Sequence, residues 1–131
     1  MRPLDILYVD DDEDIRHIVR LSLSLDPAIT LRIAGSAAEA LALLERGRLP
    51  DVALLDVMMP GRDGLALLAD LRARPATAAL PVIFMTAKGR PADVELYRAR
   101  GALGMILKPF DPLDLAGQIR ARMDPILDES G

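Results

Sequence analysis

The chain contains no cysteine and no tryptophan, and aromatic residues make up only 3% of it. Without thiols there is neither a disulfide scaffold nor a thiolate metal site. Their absence is compatible with a cytoplasmic location, which is the expectation here. So few aromatics argue against the stacking platforms on which single-stranded nucleic acids lie. No stretch approaches the ~18 uncharged apolar residues of a membrane span, so no membrane insertion is expected. Met1-Arg2-Pro3-Leu4-Asp5 does not read as a signal peptide, because an acid arrives before any apolar region can form.

The 131 residues are 51% apolar, which suits one folded domain rather than a disordered chain. A single domain over residues 1–131 is expected, with a core of about 5–123 and a short tail at 124–131. The net charge of −4 is concentrated in one place: Asp10, Asp11, Asp12, Glu13 and Asp14 are consecutive. Without that run of five, 16 basic residues face 15 acidic ones. The acidity is local, and it argues against direct contact with nucleic acid.

Short apolar runs alternate with amphipathic segments. Strands are expected at residues 6–9, 30–34, 52–55, 82–85 and 105–107. The helix expected at 14–25 has Ile15, Ile18, Val19 and Ser22 on one face, and Pro27 follows it. Ser36 and Glu39 form a capping box for a second helix, which Gly47 closes. Further helices are expected at 65–74 and 90–100, and a last one is capped by Asp111 with Pro112 at its first position. Apolar strands alternating with helices imply a parallel sheet covered on both faces. The expected fold class is α/β: a flavodoxin-like, doubly wound (βα)5 sandwich with strand order 2-1-3-4-5.

In such sheets the binding crevice lies beyond the carboxyl ends of the strands. Those ends carry Asp10 and Asp11, then Asp56, then Thr86 and Ala87, then Lys108 and Pro109. Three converging carboxylates repel one another unless a cation joins them. All-oxygen ligation suits Mg2+ better than Zn2+. With a dication and Lys108 the site is neutral, and it could take a phosphoryl group against the cations, with Thr86 donating a hydrogen bond. A carboxylate can act as nucleophile and form an acyl phosphate. Asp56 is the best candidate, alone at the end of the central strand. Asp10 and Asp11 are the better metal ligands.

At these residues the chain resembles the receiver domain of two-component response regulators. The segments that carry the resemblance are Ile6 to Asp11 with Arg16 following, Leu54 to Gly64, Met85-Thr86-Ala87, and Leu107 to Phe110. It covers about residues 6–123. The resemblance implies a phosphoacceptor signalling switch rather than an enzyme, in which Asp56 receives a phosphoryl group from the phosphohistidine of a sensor histidine kinase or phosphotransfer protein. It implies that Asp11 and Asp56 bind Mg2+ directly, Asp10 binds it through water, and Met58 binds it by its backbone carbonyl. Lys108 and Thr86 would contact the phosphoryl oxygens, Ala87 would keep the approach open, and the Lys108-Pro109 bond would be cis. A downstream protein partner would read the fourth helix, fifth strand and fifth helix, with Tyr97 and Met105 on that surface. A stand-alone receiver, monomeric or weakly dimeric, is expected.

The sequence departs from the family pattern at Met105, where an aromatic ring that swings inward on activation is usual. Methionine is flexible and fills gaps, but an aromatic rotamer switch cannot operate there. Met58 and Lys88 stand two residues after Asp56 and Thr86, positions that the resemblance implies flank the approach of a hydrolytic water. A phosphorylation-independent docking module with the same fold is the alternative. A Mg2+-dependent phosphohydrolase is disfavoured, because Met58 stands where such enzymes place their second acid. The single histidine, His17, falls off the apolar helix face and is expected in solvent.

Overall fold

A computed structural model describes residues 2–130; Met1 and Gly131, the limits of the expected domain, lie outside the described residues. The elements run β1 (Leu4–Val9), α1 (Glu13–Ser24), β2 (Ile29–Ala34), α2 (Ala37–Arg46), β3 (Val52–Asp56), α3 (Gly64–Ala73), β4 (Val82–Thr86), α4 (Pro91–Ala99), β5 (Gly104–Leu107) and α5 (Leu115–Ser130). All strand pairs are parallel, in the order β2-β1-β3-β4-β5. The expected flavodoxin-like (βα)5 topology is therefore present. No helix among the described residues is long and apolar enough to cross a membrane.

Strand alternation divides the core in two. Ile6 and Tyr8 of β1, Leu54 of β3 and Ile106 of β5 pack with Val19 and Leu23 of α1 and Leu115 and Ile119 of α5. Leu7, Leu55 and Phe84 pack on the opposite face with Ala40 of α2, Leu67 and Leu71 of α3, and Tyr97 of α4. By the same alternation Asp10, Asp56 and Lys108 fall on the α1/α5 side.

The helix starts follow local hydrogen bonding. Asp12 caps α1 by accepting the N–H groups of Asp14 (2.9 Å) and Ile15 (3.2 Å). Ser36 caps α2 by accepting Glu39 N–H (3.1 Å), while Glu39 reaches back to the N–H of Gly35 (3.1 Å). Asp63 caps α3 through Ala66 N–H (2.9 Å). Gly64, the first residue of α3, passes so close to β3 that a Cβ there would lie 2.3 Å from the carbonyl oxygen of Asp56. That position accepts only glycine.

Several expectations need correction. Ile18 does not join the buried face of α1: it is 40% exposed, and the buried residues are Val19, Ser22 and Leu23. Gly47 ends α2 in an extended conformation, with φ −139°, rather than a left-handed one. The last helix begins at Leu115, not at Pro112. Asp111 instead caps a preceding turn, accepting Leu113 N–H through its side chain (2.9 Å) and Asp114 N–H through its carbonyl (2.9 Å). α5 then continues through Pro125 to Ser130, where the sequence suggests only a tail.

Helix α5 is tied to the end of α1 by the ion pair Arg120–Asp26 at 2.7 Å, with side chains 11% and 6% exposed. The Arg120 hydrogen bond is the main cause that holds the Asp26 carboxyl below the usual carboxylate range. A depressed acid stabilises the fold above its unfolded pKa, and that contribution is lost as pH falls through the folded value. Asp26→Ala leaves a guanidinium buried without its counter-ion and is expected to cost about 3 kcal/mol at pH 7. Urea unfolding of both proteins across pH checks this: the difference narrows on acidification.

Candidate functional site

The C-terminal edge of the sheet opens into a cleft of about 330 Å³ lined by Asp10, Asp11, Asp12, Asp56, Met58, Thr86, Ala87 and Lys108. It thus brings together every residue to which the sequence analysis assigns phosphoryl or metal contact. Asp10, Asp11 and Asp56 each offer a carboxylate oxygen, and these oxygens lie within 4.8 Å of one another. Asp10 is fully buried, Asp56 is nearly so, and Asp11 is exposed. Carboxylates so close, with no sulfur or imidazole among them, match a hard dication rather than a soft one.

The one ammonium in the cleft is Lys108. Its Nζ lies 3.0 Å from Asp56 Oδ1 and 3.5 Å from Asp10 Oδ2. The Lys108-Pro109 bond is cis, as expected. Thr86 is buried, and its Oγ1 accepts the N–H of Lys88 (3.0 Å), so its own proton remains available to a ligand. Ala87 is exposed beside it, as is Lys88. Met58 is 63% exposed, with its N–H 3.4 Å from Asp56 Oδ1.

Tyr97 does not lie on a partner surface. It is 3% exposed, its ring centroid is 5.2 Å from that of Phe84, and its hydroxyl donates to the carbonyl of Lys88 (3.3 Å). The ring is the buried side chain of α4 and anchors that helix to the sheet. Met105 pairs with Phe84 across the sheet and is half-buried against the same cluster. His17 is exposed, as expected.

Two supporting residues escaped the sequence analysis as such. Arg16 spans the turn after β1, with Nη1 donating to the carbonyls of Asp10 (3.0 Å) and Asp11 (3.2 Å). Tyr8 donates its hydroxyl to Asp10 Oδ2 at 2.5 Å. The second could have been found, since residues i and i+2 of a strand share a face. An apolar cleft beside Lys108, formed by Ile15, Ile18, Pro109 and Phe110, was also not foreseen.

Burial raises the Asp56 carboxyl above the ordinary aspartate range, and the Asp10 charge adds to this; the Lys108 hydrogen bond opposes it. Tyr8 lies well above the usual phenol range, first through burial and then through its bond to Asp10.

Residues 6–120 match the family described as the response regulator receiver domain. The 14.6 kDa protein in the sodA1 3' region of Leptolyngbya boryana is 42% identical over 112 residues, covering 86% of this chain and 84% of that protein. The DNA-binding response regulator MtrA of Mycobacterium tuberculosis is 36% identical over 118 residues, 90% of this chain but 50% of MtrA, so the chain spans about half the length of that relative. Among solved structures, the chemotaxis response regulator CheY4 of Vibrio cholerae superposes with a TM-score of 0.82 at 29% identity, covering 91% of this chain and 98% of that one.

An acid whose pKa is raised by folding costs stability once ionised, and protonation removes that cost. Asp56→Asn is therefore expected to raise the unfolding midpoint at pH 7, without added metal, by roughly 3–6 °C. Scanning calorimetry of both proteins tests the sign: the gap closes as pH is lowered through the folded value of Asp56.

Proposed function

Since this chain belongs to the response regulator receiver domains, we propose that it is a phosphoacceptor switch that takes a phosphoryl group on Asp56 from the phosphohistidine of a histidine kinase or phosphotransfer protein. Receiver domains are signalling switches rather than classical enzymes. The observation that carries the reading is the placement of Lys108 Nζ 3.0 Å from Asp56 Oδ1, inside a cleft whose three carboxylates converge within 4.8 Å.

In the transfer, an Asp56 carboxylate oxygen attacks the phosphorus. The Asp56 O–P bond forms as the P–N bond breaks, and the electron pair leaves on the imidazole nitrogen, which takes up a proton. Lys108 faces the phosphoryl oxygens and Thr86 donates to one of them. Asp11, Asp56 and the Met58 carbonyl would hold Mg2+ directly and Asp10 through water, the ion supplying positive charge against the carboxylates and the phosphoryl group. Exposed Ala87 leaves the approach open.

Phosphorylation then biases the surface formed by α4, β5 and α5, to which a protein partner responds. Met105 offers no ring to rotate. Support for another route comes from the chain of contacts Thr86–Lys88–Tyr97, in which Lys88 N–H is held by Thr86 and Lys88 C=O by Tyr97 on α4. The same reading puts the protein in the cytoplasm. The complete set of carboxylates, hydroxyl and ammonium favours this chemistry over phosphorylation-independent docking.

Intact-mass measurement after incubation with a small phosphodonor tests the assignment. The wild type is expected to gain one phosphoryl group in Mg2+, and none without it. Asp56→Asn is expected to gain none under either condition. Undiminished incorporation into a folded Asp56→Asn protein would refute the site.

A further inference from the structure

We propose that Tyr8 is a positioning residue for the phosphoacceptor: its hydroxyl occupies Oδ2 of Asp10 and so leaves the Lys108 ammonium to Asp56. The proposal rests on the function assigned above and adds a residue outside the acid–threonine–lysine set.

Tyr8 lies wholly buried in the middle of the sheet, among Ile6, Val19, Leu54 and Ile106. An apolar strand position of this kind is filled equally well by phenylalanine, and a buried hydroxyl there is unfavourable without a partner. That partner is Asp10 Oδ2, at 2.5 Å. The other oxygen of Asp10 accepts Asp12 N–H at 2.9 Å. Both oxygens of Asp10 thus accept hydrogen bonds before Lys108 is considered.

The arrangement bears on a competition. Two carboxylates share one ammonium, and Asp10 is the more buried of the two. Burial alone strengthens its attraction for a cation, because low dielectric strengthens charge–charge interaction. The observed order is the reverse: Lys108 is at 3.0 Å from Asp56 and 3.5 Å from Asp10. The phenol accounts for it. A charge-assisted bond to Oδ2 takes up a lone pair and part of the negative charge that would otherwise draw Lys108 across. Lys108 therefore stays beside Asp56, where it can face an incoming phosphoryl group.

Tyr8→Phe keeps the ring and removes only the hydroxyl. The chain has two lysines, Lys88 and Lys108, so isotope-labelled lysine gives two side-chain NMR signals, and Lys88→Arg assigns them. In Tyr8→Phe the Lys108 signal is expected to move toward its position in Asp56→Asn, where only Asp10 remains as partner. Phosphorylation by a small phosphodonor in Mg2+ is expected to slow about tenfold, the loss of one charge-assisted hydrogen bond acting through Lys108. In an Asp10→Asn background, where no second carboxylate competes for Lys108, the Tyr8→Phe change is expected to leave the Lys108 signal where it is, which a purely structural role of the ring would not produce. A Lys108 signal unmoved by Tyr8→Phe overturns the proposal whatever the rates do, as does an undiminished effect in the Asp10→Asn background. Failure of the wild type to take a phosphoryl group would instead overturn the function proposed above, and the NMR comparison, which needs no phosphorylation, would still decide the role of Tyr8.

Discussion

Three carboxylates held within 4.8 Å of one another, with a single ammonium between two of them, are the constraint around which this fold is built. Separate carboxylates would take water; here Asp10 and Asp56 are buried at the ends of largely apolar strands, while Asp11 stays exposed. The surroundings answer the charge piece by piece. Arg16 holds the carbonyls of Asp10 and Asp11, Asp12 turns away to cap α1, and Glu13 and Asp14 sit in the first turn, where the helix dipole favours them. One run of five acids is thereby divided between a site and a helix cap.

Much of this was legible in the sequence because the periods are clean. Strands buried on both faces read as unbroken apolar runs, and the polar residue that ends each run marks the edge of the sheet. This located Asp10, Asp56, Thr86 and Lys108 without any knowledge of side-chain contacts. Features set by packing rather than by period were not legible. Ile18 lies on the border of the α1 stripe, and it is exposed where α1 and the β5–α5 loop leave an open cleft between Ile15, Pro109 and Phe110. Tyr97 looks like a surface residue because it sits among charged residues of α4; it is the buried residue of that helix, packed on Phe84 and bonded to the turn at Lys88. The turn at Asp111 and a helix N-terminus share the same signals, so the start of α5 could not be told from sequence.

The two faces of the sheet do different work. Tyr8, Asp10, Asp56 and Lys108 belong to the side covered by α1 and α5, where the carboxylates meet the ammonium. Thr86, Phe84 and Met105 belong to the side covered by α3 and α4, where Tyr97 is anchored. The strand ends are where the two meet, and Thr86 is the residue whose backbone lies in one sheet edge while its hydroxyl organises the loop toward α4.

Gly64 has a consequence for how such a chain can vary. Its backbone passes the carbonyl of Asp56 so closely that no side chain fits, whereas Met58, six residues earlier in the loop that leads to it, is largely exposed at the rim of the cleft beside the same aspartate. One position is closed to substitution and the other is unconstrained by the fold. Descendants of this sequence can therefore vary the side chain that stands over the cleft at position 58, while the backbone that places Asp56 is inherited intact.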